Sequence, residues 1–164
     1  MMISQKVAAR LNEQVKHEFY SSWAYMAMAY SFETMGLPIF AKWFYRQAGE
    51  EREHAEKIAR YLLDQGAEVV LTALPEPKTK YTTAQEIIEA ALEHEKLVTR
   101  QIHEIAELAL AEKDQATYHF NGWFVGEQVE EVASVMEILN MVKLASTPGQ
   151  LLQLEGRIYQ MMEK

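Results

Sequence analysis

The chain has 164 residues, 49% of them hydrophobic, which is enough to enclose a full core and argues against disorder. Its 16 basic and 24 acidic side chains leave a net charge of -8, with no basic stripe of the kind nucleic acid requires. The absence of cysteine excludes disulfides, iron–sulfur clusters and cysteine–zinc sites, and no apolar run approaches membrane length. Residues 1–7 carry no apolar signal core, so a cytoplasmic protein is the expectation. Only 7 Gly and 4 Pro are present, and long stretches contain neither, which predicts an all-α fold of long helices in one domain, 1–164.

The first helix is expected over about 4–35, with Ser4 as N-cap and Gly36 as the stop. Its apolar seam reads Val7, Leu11, Gln14 or Val15, Glu18, Ser22, Tyr25, Ala29 and Phe32. Pro38 opens the second helix, 38–65, which Gly66 ends. So short a turn makes these two helices antiparallel neighbours. The second seam runs Phe40, Phe44, Gln47, Glu51, His54, Ile58 and then Tyr61 or Leu62. Glu51 and His54, three apart, share one helix face. A single Glu-x-x-His is ordinarily a solvated face or a satisfied core pair.

Residues 67–83, with Leu74-Pro75-Glu76-Pro77, read as an extended connection. Seventeen residues reach ~56 Å at most, against ~43 Å for a helix of 29 residues, so the segment can traverse the bundle from end to end. The third helix, 84–113, opens on Thr83-Ala-Gln-Glu86, the pattern of a capping box. Its seam is Ile88, Ala91, Glu95, Val98, Ile102, Ile105 and Ala109. Asp114 is the expected N-cap of the fourth helix, 115–145, whose seam is Phe120, Phe124, Gln128, Glu131, Val135, Ile138 and Val142. Gly122 and Gly126 within it suggest a close helix approach. Thr147-Pro148-Gly149-Gln150 opens a short fifth helix, 148–162, carrying Leu151, Leu154, Ile158 and Met161 on one side.

Each of the four long seams is interrupted by polar groups, and the interruptions fall at one height. With a rise of ~1.5 Å per residue, Glu18 lies ~21 Å and Glu131 ~25 Å above one end of the bundle. Glu51 lies ~20 Å and Glu95 ~18 Å below the other. The inference is a core with one polar layer: Glu18, Glu51, His54, Glu95, Gln128 and Glu131. Four carboxylates in a dry layer repel, so some are expected to hold protons until cations replace them. Two divalent cations would balance four carboxylates. Oxygen ligands with one imidazole, and no sulfur, suit iron or manganese better than structural zinc.

At this point the sequence resembles the ferritins, and within them the prokaryotic non-haem ferritins, over nearly its whole length. That resemblance implies a ferritin-like four-helix bundle with one long crossover between the second and third helices plus a short C-terminal helix. By position, Glu18, Glu51 and His54 resemble the ligands of a first iron, with Glu51 bridging. Glu51, Glu95 and Glu131 resemble those of a second, with Gln128 close by. Glu50, Glu127 and Glu130 match the pattern of a third. Tyr25 and Trp123 match aromatic residues that the family links to electron donation. Bacterioferritins carry a second Glu-x-x-His on the fourth helix, where this chain has Glu127 and Glu130, and a haem-ligating Met where it has Arg52; no haem is expected. Rubrerythrins need a cysteine-rich domain, and Dps-type shells would not need Glu95 or Glu131. His17, His94, His103 and His119 are expected to be surface or packing residues.

The resemblance implies an iron storage protein with ferroxidase activity. Two Fe(II) ions per subunit give up electrons to a bridging dioxygen or to peroxide, and the ferric product mineralises inside a homo-oligomeric shell. In this family the shell has twenty-four subunits. The alternatives are a ferritin-like di-iron or di-manganese oxidase or peroxide-handling enzyme without storage, and a plain helical bundle with an ion-pair layer. Neither nucleic acid nor membrane is an expected partner.

Overall fold

The computed structural model describes residues 2–164; Met1 lies outside them. Five helices make up the fold: α1 (Gln5–Thr34), α2 (Pro38–Asp64), α3 (Ala84–Ala111), α4 (Gln115–Leu144) and α5 (Pro148–Met162). Every boundary falls within two residues of its expected place. Ser4 Oγ accepts the Val7 N–H at 3.2 Å, and Asp114 Oδ1 accepts the Thr117 N–H at 2.9 Å, so both expected N-caps form. Gly36 and Gly66 take φ values of +76° and +74°, the left-handed conformation that ends a helix and turns the chain. Between α3 and α4 the same role falls to Lys113, at φ 58°, without glycine's freedom from steric cost.

Two local expectations need correction. The capping box at Thr83 is only half made: Thr83 Oγ1 accepts the Glu86 N–H at 3.1 Å. The Glu86 carboxylate turns instead to the Thr82 N–H at 2.8 Å and to Lys78 at 2.7 Å, because a charged partner outbids the backbone of Thr83. Gly122 and Gly126 serve no close helix approach within the chain, since a Cβ at either would meet nothing within 4 Å.

α1 packs along α2 and α3 along α4, with α1 also beside α3. The segment between α2 and α3 runs up the outside of α1. Asn12 Nδ2 donates to the Glu68 carbonyl at 3.0 Å, and Asn12 Oδ1 accepts the Val70 N–H at 2.7 Å. Ser31 Oγ donates to the Thr79 carbonyl at 3.3 Å. Asn12 and Ser31 are ~28 Å apart along the helix axis, so the connection makes the traverse its length allows.

The interior is two apolar bodies. One holds Tyr25, Phe32, Phe40, Phe44, Ile88, Val135 and Ile138, joined by Ile158 of α5. The other holds Val7, Leu11, Ile58, Leu62, Val98, Ile102, Ile105 and Phe124. Between them lie the polar seam residues, Ser21 among them; Ser22, expected in the seam, faces α2 and donates to the Ala48 carbonyl at 2.7 Å.

α5 crosses one end of the bundle, against α2 and α4. Leu37, at the start of α2, offers no side chain to cap it. Glu155 of α5 supplies the cap instead: its Oε1 accepts the N–H of Ile39 at 2.7 Å and of Phe40 at 3.1 Å. A carboxylate there also meets the positive end of the helix dipole. Replacing Glu155 with Ala should cost ~1–2 kcal/mol, localised to this junction. Amide hydrogen exchange checks it: faster exchange in α5 and the first turn of α2, with the middle of α1 and α3 unchanged, is the expected pattern.

Candidate metal centre

The polar layer is built by helix periodicity. Glu18, Glu51, His54, Glu95, Gln128 and Glu131 occupy core-facing positions of four helices and are all buried, none more than 6% exposed. Glu18 and Glu51 with His54 offer one ligand atom each within a mutual 4.8 Å. His54 Nδ1 lies 3.3 Å from Glu51 Oε2. The same spacing is met by His54, Glu127 and Glu131. The set Glu51, Glu95 and Glu131 does not close to that separation among the described residues, and both Glu95 oxygens are engaged elsewhere. Tyr25 donates its hydroxyl to Glu95 Oε1, and Gln128 Nε2 donates to Glu95 Oε2 at 3.1 Å.

Several supports were not singled out from the sequence. Gln14 Nε2 donates to Glu18 Oε1 at 2.8 Å, and Arg10 donates to Gln14 Oε1 at 3.2 Å. A ladder of i, i+4, i+8 thus carries an arginine's polarity inward to Glu18. The signal was present, since Gln14 stands at seam spacing between Leu11 and Glu18. Thr99 Oγ1 and the Glu95 carbonyl each accept from Gln128 at 3.2 Å, which fixes the amide. Glu18 Oε2 and Glu51 Oε1 are buried with no hydrogen-bond partner. Each such orphan costs ~1–3 kcal/mol, a cost that a bound cation removes.

The electrostatics follow from burial. Desolvation, then the Glu18 charge, pushes Glu51 well above the usual carboxylate range. Burial also raises Glu95, although the Tyr25 and Gln128 bonds pull the other way. Burial, with Glu95, Glu50 and Glu127 nearby, pushes Glu131 up to about 9. The layer therefore holds protons when no cation is present. Burial and the Glu95 charge keep the Tyr25 phenol protonated far above its ordinary range.

The remaining residues sit less deeply. Glu50, Glu127 and Glu130 line one cavity of about 270 Å³ with Gln47 and Glu131. Glu50 is already held by Arg46 at 3.0 Å and Gln47 at 3.3 Å, and Glu130 is exposed. Trp123 is not a plain core aromatic: it is 42% exposed, with the Lys57 ammonium 3.1 Å from its ring centroid and a T-shaped contact with His54 at 5.5 Å between ring centroids. His94 is a packing residue, bonded to Ser21 Oγ at 2.7 Å and pushed down to about 4 by burial. Arg52 lies on the surface in an ion pair with Glu56 at 2.9 Å. No helix of the described residues is long and apolar enough to cross a membrane.

Comparison with known proteins agrees with the geometry. The ferritin-like domain family matches residues 8–145. A bacterial non-heme ferritin of Staphylococcus saprophyticus is 42% identical over 132 residues, 80% of this chain and 79% of that one. One from Staphylococcus aureus is 39% identical over 132 residues, 80% of each chain. Among solved structures, a novel open pore ferritin from the hyperthermophilic archaeon Archaeoglobus fulgidus superposes with a TM-score of 0.94 at 39% identity, covering 96% of both chains. A closed form engineered from that ferritin by site-directed mutagenesis superposes at 0.93, also 39% identical, over 95% of this chain and 96% of that one. A polar layer splitting a four-helix core, one long crossover and these matches over most of the chain place the protein in the ferritin-like family.

Proposed function

We propose that this chain is one ferritin-like domain and the subunit of an iron store. It oxidises Fe(II) to Fe(III) in the polar layer and holds the ferric product as mineral inside a hollow homo-oligomer. The observation that carries the reading is the buried layer itself. It is rich in carboxylate oxygens, and two of them, Glu18 Oε2 and Glu51 Oε1, have no partner in the protein. A bound cation would remove that cost.

In this reading iron is the substrate and cargo. Glu18, Glu51 and His54 hold the first ion, a role supported by their mutual 4.8 Å spacing. Glu51, Glu95 and Glu131 hold the second once Glu95 shares its oxygens, with Gln128 steering Glu95 from the side. Glu50, Glu127 and Glu130 take a third ion in their common cavity. Tyr25, hydrogen-bonded to Glu95, and Trp123, in a T-shaped contact with His54, stand where an electron donor would be useful. Haem has no place in this scheme, and Arg52 occupies the position of its ligand.

The chemistry of the chain's own groups is simple. Hard carboxylate oxygens favour Fe(III) over Fe(II), so they lower the potential at which iron surrenders an electron. Each Fe(II) loses one electron, and dioxygen or peroxide accepts them. Carboxyl protons held in the empty layer leave as the cations arrive. The shell follows the family's twenty-four subunits, in the cytoplasm.

Aerobic loading of apo-protein with Fe(II), followed by gel filtration with iron and protein measured in each fraction, tests storage. Many irons per chain co-eluting with a very large assembly is the expected result. About two or three per chain on a small oligomer would make it a di-iron oxidase without storage. Glu51→Gln and Glu131→Gln should each slow initial Fe(II) oxidation roughly 10- to 100-fold or more, with the fold kept. Unchanged rates would refute the ligand assignment.

The raised carboxyl groups also set a pH dependence. The folded, metal-free protein keeps a proton on Glu131 up to about 9, whereas an ordinary carboxylate at 4.5 has released it. Between those values the native state binds more protons than the unfolded chain, so stability falls as pH rises. Urea midpoints of the apo-protein should therefore decline from about pH 5 to about pH 9, less steeply in Glu131→Gln. A midpoint that rises over that range would contradict the protonated layer.

A further inference from the structure

Arg10 stands outside the polar layer, about two turns before Glu18 on α1 and ~12 Å from it along the helix axis. Only 14% of its side chain is exposed. Its Nη2 donates to the Gln101 carbonyl at 2.8 Å and to Glu104 Oε2 at 3.3 Å. Both partners belong to α3, so α3 fixes the place of this α1 side chain. Nη1 donates to Gln14 Oε1 at 3.2 Å. Gln14 is fully buried, and its Nε2 donates to Glu18 Oε1 at 2.8 Å. A guanidinium only donates, so the end of the amide beside Arg10 must be its oxygen. The amide nitrogen is thereby turned toward Glu18. The reversed amide would set its NH2 group against the guanidinium and its oxygen against the carboxylate. Without Arg10 the first of these two penalties disappears.

We propose that Arg10 is a positioning residue for Glu18: anchored on α3, it locks the Gln14 amide, and the amide holds Glu18 Oε1 so that Oε2 stays free for a cation. Glu18 Oε2 has no partner in the protein, which is the condition this arrangement preserves. An amide free to turn would present its oxygen to Glu18, and the carboxylate would swing away from it. Glu18 would then spend less time within reach of Glu51 and His54. Arg10 touches neither Glu18 nor a cation bound there; it acts through Gln14. Lys6 supplies the contrast. It ties the start of α1 to Glu112 at the end of α3, at 3.8 Å, and its side chain is 71% exposed. A loosened contact between α1 and α3 is common to the loss of either residue, whereas a freed Gln14 amide belongs to the loss of Arg10 alone.

The inference deepens the metal reading of Glu18 and rests on it. Co(II) is the probe, because its visible absorption reports coordination without any iron oxidation. The assembled apo-protein is titrated with Co(II) alone. Arg10→Met, which keeps the apolar stem and removes every donor, should weaken binding about tenfold, and Gln14→Ala should do the same. The double variant should be no weaker than either single, because both changes break one line of contacts. Lys6→Ala should bind as the wild type does. Losses that add in the double variant, or an equal loss in Lys6→Ala, would make Arg10 an ordinary tie between helices and overturn the proposal. So would a crystal structure of metal-free Arg10→Met in which Gln14 still donates to Glu18 as before. If Arg10→Met fails to assemble, Gln14→Ala, with Arg10 intact, decides alone: wild-type affinity in it overturns the proposal. Glu18→Gln separates this failure from that of the reading beneath it. Binding that survives Glu18→Gln undiminished means that Glu18 is no ligand, and both fall. Binding that needs Glu18 but ignores Arg10 and Gln14 sinks the positioning role and leaves the metal reading standing.

Discussion

Four carboxylates lie in one dry layer, and the rest of the structure is arranged around that fact. Buried charges are tolerated only when neutralised or paired. Here burial raises Glu51, Glu95 and Glu131, the last to about 9. Glu18 is steadied by Gln14, and Glu95 by Tyr25 and Gln128. These bonds hold the carboxylates in place, while Glu18 Oε2 and Glu51 Oε1 are left without partners. A site that was fully satisfied by the protein would have no reason to bind a cation. One with no support would not keep its geometry.

The helices were legible in the sequence because their signals are local and agree with one another. Ser4, Asp114 and Thr147 cap, Gly36 and Gly66 stop, and the apolar period is kept through thirty residues at a time. The layer was legible because helical rise is constant, so a polar residue's height follows from counting. What was not legible is what depends on neighbours. Whether Gln14 or Val15 faces inward is ambiguous from periodicity; both are buried, and the amide of Gln14 is what holds Glu18. Glu86 turns from Thr83 to Lys78 through a contact eight residues apart. Glu155 caps a helix more than a hundred residues earlier in the chain. Trp123, on the fourth helix, has a partly exposed face capped by Lys57, which the helical pattern alone does not show. The nearness of His54 to Glu127 and Glu131 is of the same kind, since only the packing of α2 against α4 brings Glu127 within its reach.

The resemblance and the physical reading support each other at different depths. Heights along the helices lead to a polar layer and to cations. The family adds which ion, which reaction and what assembly. Where they overlap, Glu18, Glu51 and His54 each offer a ligand atom within 4.8 Å of the others. At Glu95 the structure adds something the motif does not contain: a buried carboxylate held by a phenol and an amide.

The division of the core has a mechanical meaning. Because the polar layer separates the two apolar bodies, no continuous hydrophobic contact runs the length of the molecule. The long helices bridge the halves like rods through two plates. Between the two halves the coupling runs through the helix backbones and the hydrogen bonds of the layer. Ions that draw side chains from all four helices to one point would act as a rivet between the plates. Filling the layer would then make one cooperative body out of two, and the chain would stiffen as it took up cations.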